Sequence, residues 1–342
     1  MNKQKKTIKS NFFKKIFIKI CRIFNYEIID QSNLYLPVSK KSADKNLSEI
    51  GKESLVIPMG RIKIQRPVKS LDIILRSCAS INMLSQSKNR IFQKSKAEYS
   101  LMTLKSLIKS INYNKNLFNK IKLKLTIIDY NSGDQILKEF KRVLKNEFFE
   151  SEILNLDIDF YRKKIKAVNQ QGKQVSQNQI SNMSNIHQSL TLAKKCDDLI
   201  YLVEDDYIHK TEAIEEMIYA YEKISTQLGR ELILCPTDYP YLYNNLKNTK
   251  VLLGNKYHWR VVGESLCSFL TSKKIINQYW NKFVSVSKFE HYPFEKPFHD
   301  IYKKELCLSP IPSLAVHFTN INSVYGLSPF INYKKLWDEN KF

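Results

Sequence analysis

Three consecutive carboxylates, Glu204-Asp205-Asp206, stand immediately after the apolar run Leu199–Val203. Side by side they repel one another, and a cation or bulk water must relieve the repulsion. Carboxylate oxygens suit the hard ions Mg²⁺ and Mn²⁺, which are often held by one or two side chains together with substrate phosphates. A solvated acidic turn at a helix start would have the same composition, so position has to decide. Two more polar clusters, Arg76-Ser77 and Asp129 with Ser132, also close apolar runs. Chemically capable side chains at three run ends predict one shared site.

The elements that must position them follow from periodicity. Leu71, Ile73, Ile74 and Leu75 form a short apolar run that predicts a buried strand. Ala97, Leu101, Leu104, Ile108 and Ile111 recur as one face of a helix. IKLKLTIID predicts a second strand ending at Asp129, NSGD a turn, and residues 134–146 a helix. A third strand is expected over Leu154–Phe160, then a polar loop (NQQGKQVSQNQ), then a helix through Ile186–Lys195. DDLIYLV reads as a fourth strand and ELILCP as a fifth. Between them Thr211 is the expected cap of a helix carrying Ile214, Met217, Ile218 and Tyr221 on one face. Strands alternating with helices from 71 to 235 predict an α/β domain with a mostly parallel central sheet flanked by helices. In such sheets ligands bind outside the carboxyl ends of the strands.

The 342 residues, 43 % of them hydrophobic, suffice for one large domain with appendages. Six cysteines, none in CxxC spacing, suggest neither a zinc knuckle nor a dithiol redox site and fit a reducing compartment. The net charge is +22, and residues 1–70 hold 16 Lys/Arg against 5 Asp/Glu. Within them Phe12, Phe13, Ile16, Phe17, Ile20, Ile23 and Phe24 recur at helical spacing, with Lys14, Lys15, Lys19 and Arg22 largely elsewhere. This predicts a basic amphipathic segment over 1–30, with residues 11–24 suited either to an anionic membrane surface or to packing on the main domain. Residues 31–68, punctuated by Pro37, Gly51, Pro58, Gly60 and Pro67, read as a linker. No run approaches the roughly 20 apolar residues of a membrane span, and no secretory cleavage pattern is visible. A cytoplasmic protein is the expectation, either free there or peripheral on the inner face of the membrane. The basicity carries no nucleic-acid-binding motif, so no nucleic acid partner is expected.

LIYLVEDDY resembles the DxD-type motif of GT-A-fold, family-two-like nucleotide-sugar glycosyltransferases, with glutamate in the first acidic place. LTIIDYNSGD and LDIILRSC resemble the second and first strands of the same Rossmann-like fold, and the likeness spans roughly 70–320. The resemblance implies a domain over 69–342, with a nucleotide-binding half (69–208) and an acceptor-binding half (209–342). It implies a UDP- or GDP-linked sugar as donor and a glycan or lipid-linked acceptor, with inversion, in cell-envelope polysaccharide synthesis. By that likeness Asp129 contacts the base, Glu204 or Asp205 the ribose, and Arg76 the nucleotide, with Arg90 reaching phosphate and Asn185 on the helix before the acidic motif. Asp206 ligates the Mn²⁺ or Mg²⁺ that bridges the diphosphate, and His317 resembles the late histidine that joins the metal. The base that activates the acceptor hydroxyl would be a downstream carboxylate, with Asp300 the first choice and Glu264 the second. Asp238, Tyr239, Tyr241, Tyr243 and Trp259 are candidates for covering a sugar ring.

Two rival readings exist. A sugar-phosphate nucleotidyltransferase shares the broad fold and the Mg²⁺, but it should carry a Gly-rich phosphate loop after its first strand, and LDIILRSCASINM contains no glycine. Neither GxxxxGK[ST] nor GxGxxG occurs either. A degenerate transferase domain serving only to bind membrane or nucleic acid is the other, and the retained acidic triplet speaks against it.

Overall fold

The apolar run at Leu71 becomes an interior strand of the main sheet because its residues can be buried on both sides. The computed structural model describes residues 12–26, 63–79, 90–244, 248–318 and 323–341. Strands β1 (Ser70–Ser77), β2 (Lys122–Asp129), β3 (Glu150–Asn155) and β4 (Leu199–Glu204) are mutually parallel in the order β3-β2-β1-β4. The same sheet continues through β9 (Phe269–Ser272), β6 (Ile233–Leu234), β10 (Cys307–Ile311), β8 (His258–Val262) and β7 (Val251–Leu253). Only β8 and β9 run against the others, so the sheet is mostly parallel. A short antiparallel ribbon of β5 (Tyr207–His209) and β11 (Ala315–His317) stands apart from it.

Alternation along the strands feeds two helical layers. Ile73, Leu75, Leu125, Ile127, Tyr201 and Val203 share a core with helices α2 (Lys96–Tyr113), α3 (Asp134–Leu144) and α6 (Ala213–Leu228). Ile74, Ile128, Ile200 and Leu202 point the other way, into a core with α5 (Gln177–Ala193), α7 (Lys273–Gln278), α8 (Trp280–Lys288) and α9 (Lys296–Tyr302). A strand buried on both faces reads as a continuous apolar run, which is why these runs were legible. The ribbon, α2 and the C-terminal α10 (Tyr333–Asp338) enclose a third cluster around Tyr99, Phe318 and Trp337.

Several expectations need correction. The third strand lies at Glu150–Asn155, not Leu154–Phe160, because the Asp157 side chain accepts from the Phe160 amide and starts the short helix α4 (Ile158–Arg162). Helix α5 begins at Gln177, capped by Ser176, so its first three residues lie in the stretch expected to be loop. Glu212, not Thr211, stands at the N-cap of α6, with no side-chain cap bond.

The chain divides into two compact units, Met1–Lys63 and Ile64–Phe342. Most of the expected linker, residues 31–62, lies outside the described residues, while Ile64–Val68 already belong to the second unit. In the first unit residues Phe12–Ile23 form the helix α1.

Arg66 fastens the strand starts opposite the site. Its guanidinium reaches Asp198, just before β4, at 2.5 and 3.1 Å, and Glu231, just before β6, at 3.1 Å twice. Asp198 also accepts from the Lys69 amide at 2.8 Å. Charged hydrogen bonds contribute about 1.5–3 kcal/mol apiece, less where water reaches them. Arg66→Met is therefore expected to lower stability by about 2 kcal/mol. A lower urea midpoint at unchanged slope, with activity per folded molecule unaltered, is the result that checks it.

Candidate active site

Register brings the three polar run ends together. Ser77 pairs with Asp129 across β1 and β2, and Arg76 with Glu204 across β1 and β4. Beyond these carboxyl ends opens a cavity of about 840 Å³, lined by Arg76, Lys96, Tyr130, the acidic triplet, Glu295, His317 and Tyr325, with many amides from α5 and the loop before it.

Each carboxylate of the triplet meets a different partner. Glu204 pairs with Arg76 at 2.8 Å, and Arg76 also donates to Asn182 at 3.1 Å. Asp205, buried, is held by the Lys96 ammonium, by the Ser100 hydroxyl at 2.7 Å and by the Cys78 amide at 3.1 Å. Burial alone would pull the Lys96 ammonium down, but Asp205 and then Asp206 outweigh it and its net shift is upward. Asp206 faces the Nε2 atom of His317 at 3.3 Å. The β5–β11 ribbon makes this meeting: His317 is the register partner of Tyr207, and the two rings stack 4.9 Å apart. The repulsion inferred from the sequence is thus answered by built-in cations at Glu204 and Asp205, and the case for a metal narrows to Asp206.

The Asp206–His317 pair is the place in the cavity that could hold a divalent ion. The Nδ1 atom of His317 lies 3.0 Å from the Tyr325 carbonyl, which can only accept, so Nδ1 carries the proton. The neutral ring then aims its Nε2 lone pair at the Asp206 carboxylate, and two acceptors facing each other need a proton or a metal between them. A ring fixed through its far nitrogen is the usual arrangement of a metal-binding histidine. In the absence of metal a proton serves: burial pushes the imidazole down, but Asp206, then Glu204, carries it above its ordinary value. Among the described residues no three His, Cys, Asp or Glu side chains converge as a metal cage. An ion held by this pair would complete its shell with substrate phosphate and water, as Mg²⁺ commonly does.

Glu295, which sequence reasoning missed, faces the same space. It stands at the start of α9 just ahead of Pro297, and its carboxyl is pushed up to about 7 by burial and then by Glu204. A Glu two residues ahead of a helix-opening proline was the only local hint, and it says nothing about where the carboxyl points.

Most of the other expected residues are placed elsewhere. Asp300 lies outside the cavity among Lys282, Lys296 and Lys303, with Lys303 and Lys296 holding its carboxylate well below the usual range. That makes it a poor proton acceptor. Glu264 also lies off the lining and accepts from the Tyr325 hydroxyl at 2.7 Å, bracing a ring that does line it. Asp129 is buried, and its carboxylate accepts from the Ser132 amide and hydroxyl, so it shapes the turn while Tyr130 reaches the cavity. Asn185 touches the lining but donates to the Ile128 carbonyl at 3.1 Å, tying α5 to β2. Arg90 lies over the Tyr99 ring and donates to the Lys94 carbonyl. Trp259 is buried against Glu216, the Tyr239 hydroxyl against that of Tyr207, and Asp238 against Arg260 and Tyr243. None of Asp238, Tyr239, Tyr241, Tyr243 and Trp259 lines the cavity.

No protein-family model matches the chain, and no curated protein does. Solved structures with a similar course of chain include residues 1–349 of S. aureus TarS, at 12 % identity and TM-score 0.35, over 61 % of this chain and 48 % of that one. The galactosyltransferase LgtC, solved with donor and acceptor sugar analogues, is similar at 10 % identity and TM-score 0.32, over 63 % and 64 %. A UDP-glucose pyrophosphorylase complexed with UDP-glucose is similar at 5 % identity and TM-score 0.37, over 80 % and 97 %. The match thus spans about half of the TarS chain and just under two thirds of LgtC. A galactosyltransferase and a pyrophosphorylase both stand among these neighbours, and overlaps this loose leave the function to the residues of the cavity.

Proposed function

We propose that this protein is a metal-dependent glycosyltransferase that moves a sugar from a nucleoside-diphosphate donor to a hydroxyl of a glycan or lipid-linked acceptor, with inversion, in cell-envelope polysaccharide synthesis. The observation that carries the reading is the place of Glu295, which lines the same cavity as the strand-end acidic cluster and whose carboxyl burial and then Glu204 push up to about 7. A base of that pKa suits removal of a proton from an attacking hydroxyl at neutral pH. Nucleotidyl transfer, in which an already ionised phosphate oxygen attacks, calls for no such group.

Asp206 and His317 would hold the ion, which when bound supplies positive charge to the diphosphate as it leaves. In a cavity lined by Glu204, Asp205, Asp206, Glu290 and Glu295 a diphosphate needs that charge, since among the described residues Arg76 and Lys96 are the lining's arginine and lysine and each is already paired. Tyr130 and the Asn182 and Gln179 amides offer a ring and hydrogen-bonding groups to the nucleoside. Glu295 takes the acceptor proton as the acceptor oxygen bonds to the anomeric carbon. The bond from that carbon to the diphosphate oxygen breaks, and the nucleoside diphosphate departs.

A thermal-shift screen of UDP- and GDP-sugars with and without Mn²⁺ tests the reading. A ligand at a hundred times its Kd stabilises by about 2.7 kcal/mol, and that gain should need the metal. Asp206→Asn is expected to abolish the metal-dependent part and cut turnover at least about a hundredfold, with the fold intact. Normal turnover of that variant in excess Mn²⁺, or no shift with any nucleotide, sinks the assignment.

A further inference from the structure

We propose that helix α1 docks this protein on an anionic lipid surface, independently of the chemistry in the cavity. At 100° per residue, Phe12, Phe13, Ile16, Phe17, Ile20 and Ile23 fall within an arc of about 140°, and Phe24 follows in the turn just after the helix. All seven are exposed, from 41 % at Ile16 to 76 % at Phe13. Lys19 and Arg22 are exposed outside the arc, and the helix, FFKKIFIKICRI, contains no acidic residue. An exposed aromatic and aliphatic face with cations beside it matches the boundary between lipid headgroups and acyl chains, where each half finds its own complement. Charge selects the anionic surface, because lysine and arginine gain there and not over neutral headgroups. Nucleic acid would satisfy the cations and leave the phenylalanines in water. No described helix is long and apolar enough to cross a membrane, so the contact is one of lying on the surface.

The test is co-sedimentation of the full-length protein with vesicles of phosphatidylcholine alone and of equimolar phosphatidylcholine and phosphatidylglycerol. Binding is expected on the mixed vesicles and to fall as salt rises. Phe13→Ser/Phe17→Ser/Phe24→Ser should weaken it at least about tenfold by removing apolar burial. Lys19→Gln/Arg22→Gln, which preserves the helix, should weaken it roughly tenfold or more, since each cation near such a surface contributes about fivefold. Both variants should keep wild-type thermal midpoints for the Ile64–Phe342 unit. The proposal is overturned if the wild type binds neither vesicle, if it binds both equally, or if both variants bind as the wild type does. It is also overturned if the triple variant's only change is loss of self-association in light scattering.

Discussion

Glu295→Gln is expected to lower kcat by about a hundred- to ten-thousandfold while metal-dependent nucleotide binding stays within a few-fold of wild type. The amide keeps the shape of the carboxyl and removes only its ability to accept a proton, so the loss should fall on the chemical step. Wild-type kcat/KM should rise with pH through about 7 and level off above it, because the ionised form is the active one and burial plus Glu204 holds the carboxyl at about 7. The variant should lack that limb. Stability runs the opposite way. A carboxyl whose folded pKa is raised favours the fold while protonated, below its unfolded value near 4.5, and loses that contribution as pH climbs through 7. The variant should match wild type in Tm near pH 4 and exceed it near pH 8. A group merely packed in the core would shift Tm without touching kcat. If Glu295→Gln turns over normally, or keeps the limb at 7, another group is the base.

The parallel half of the fold was legible because β1, β2 and β4 are buried on both faces and write themselves as apolar runs. Their carboxyl-end residues could therefore be placed side by side before any coordinates, and Arg76 does pair with Glu204. What periodicity conveys is where a residue sits along a strand, not where its side chain goes. Asp129 is at the expected strand end, yet Ser132 three residues later takes its carboxylate into the turn. The antiparallel β9 between β4 and β6 escaped because FLTS is too short to register a period and its pairing is wholly long-range. Glu295 escaped for a related reason. A loop carboxylate acquires a raised pKa only from what folding packs around it, whereas Asp300, five residues on, looks better by composition and ends among three lysines. His317 was legible as a histidine after an apolar run, but its meeting with Asp206 depends on the pairing of two three-residue strands.

Lys96→Met is expected to be the most destabilising single change at the site, by about 3–5 kcal/mol, because it strands a buried carboxylate. Asp205 would keep the Ser100 hydroxyl and the Cys78 amide, but two hydrogen bonds do not replace an ammonium for a charge nearly removed from water. The damage should pass to α2, since Lys96 is its first residue and Ser100 lies one turn on. Adding Asp205→Asn should restore most of the loss, as a neutral amide has no charge left to compensate. A double-mutant cycle in urea then isolates the pair, and coupling above about 2 kcal/mol is expected for groups this close and this buried. The cycle also separates two roles for the middle acidic residue. If Asp205 served mainly to bind ribose, Lys96→Met would cost little stability and Asp205→Asn would weaken nucleotide binding alone. Large coupling with near-normal nucleotide affinity in the double variant would instead make Asp205 the residue that ties β4's end to α2, leaving Glu204 and Asp206 to face the ligand.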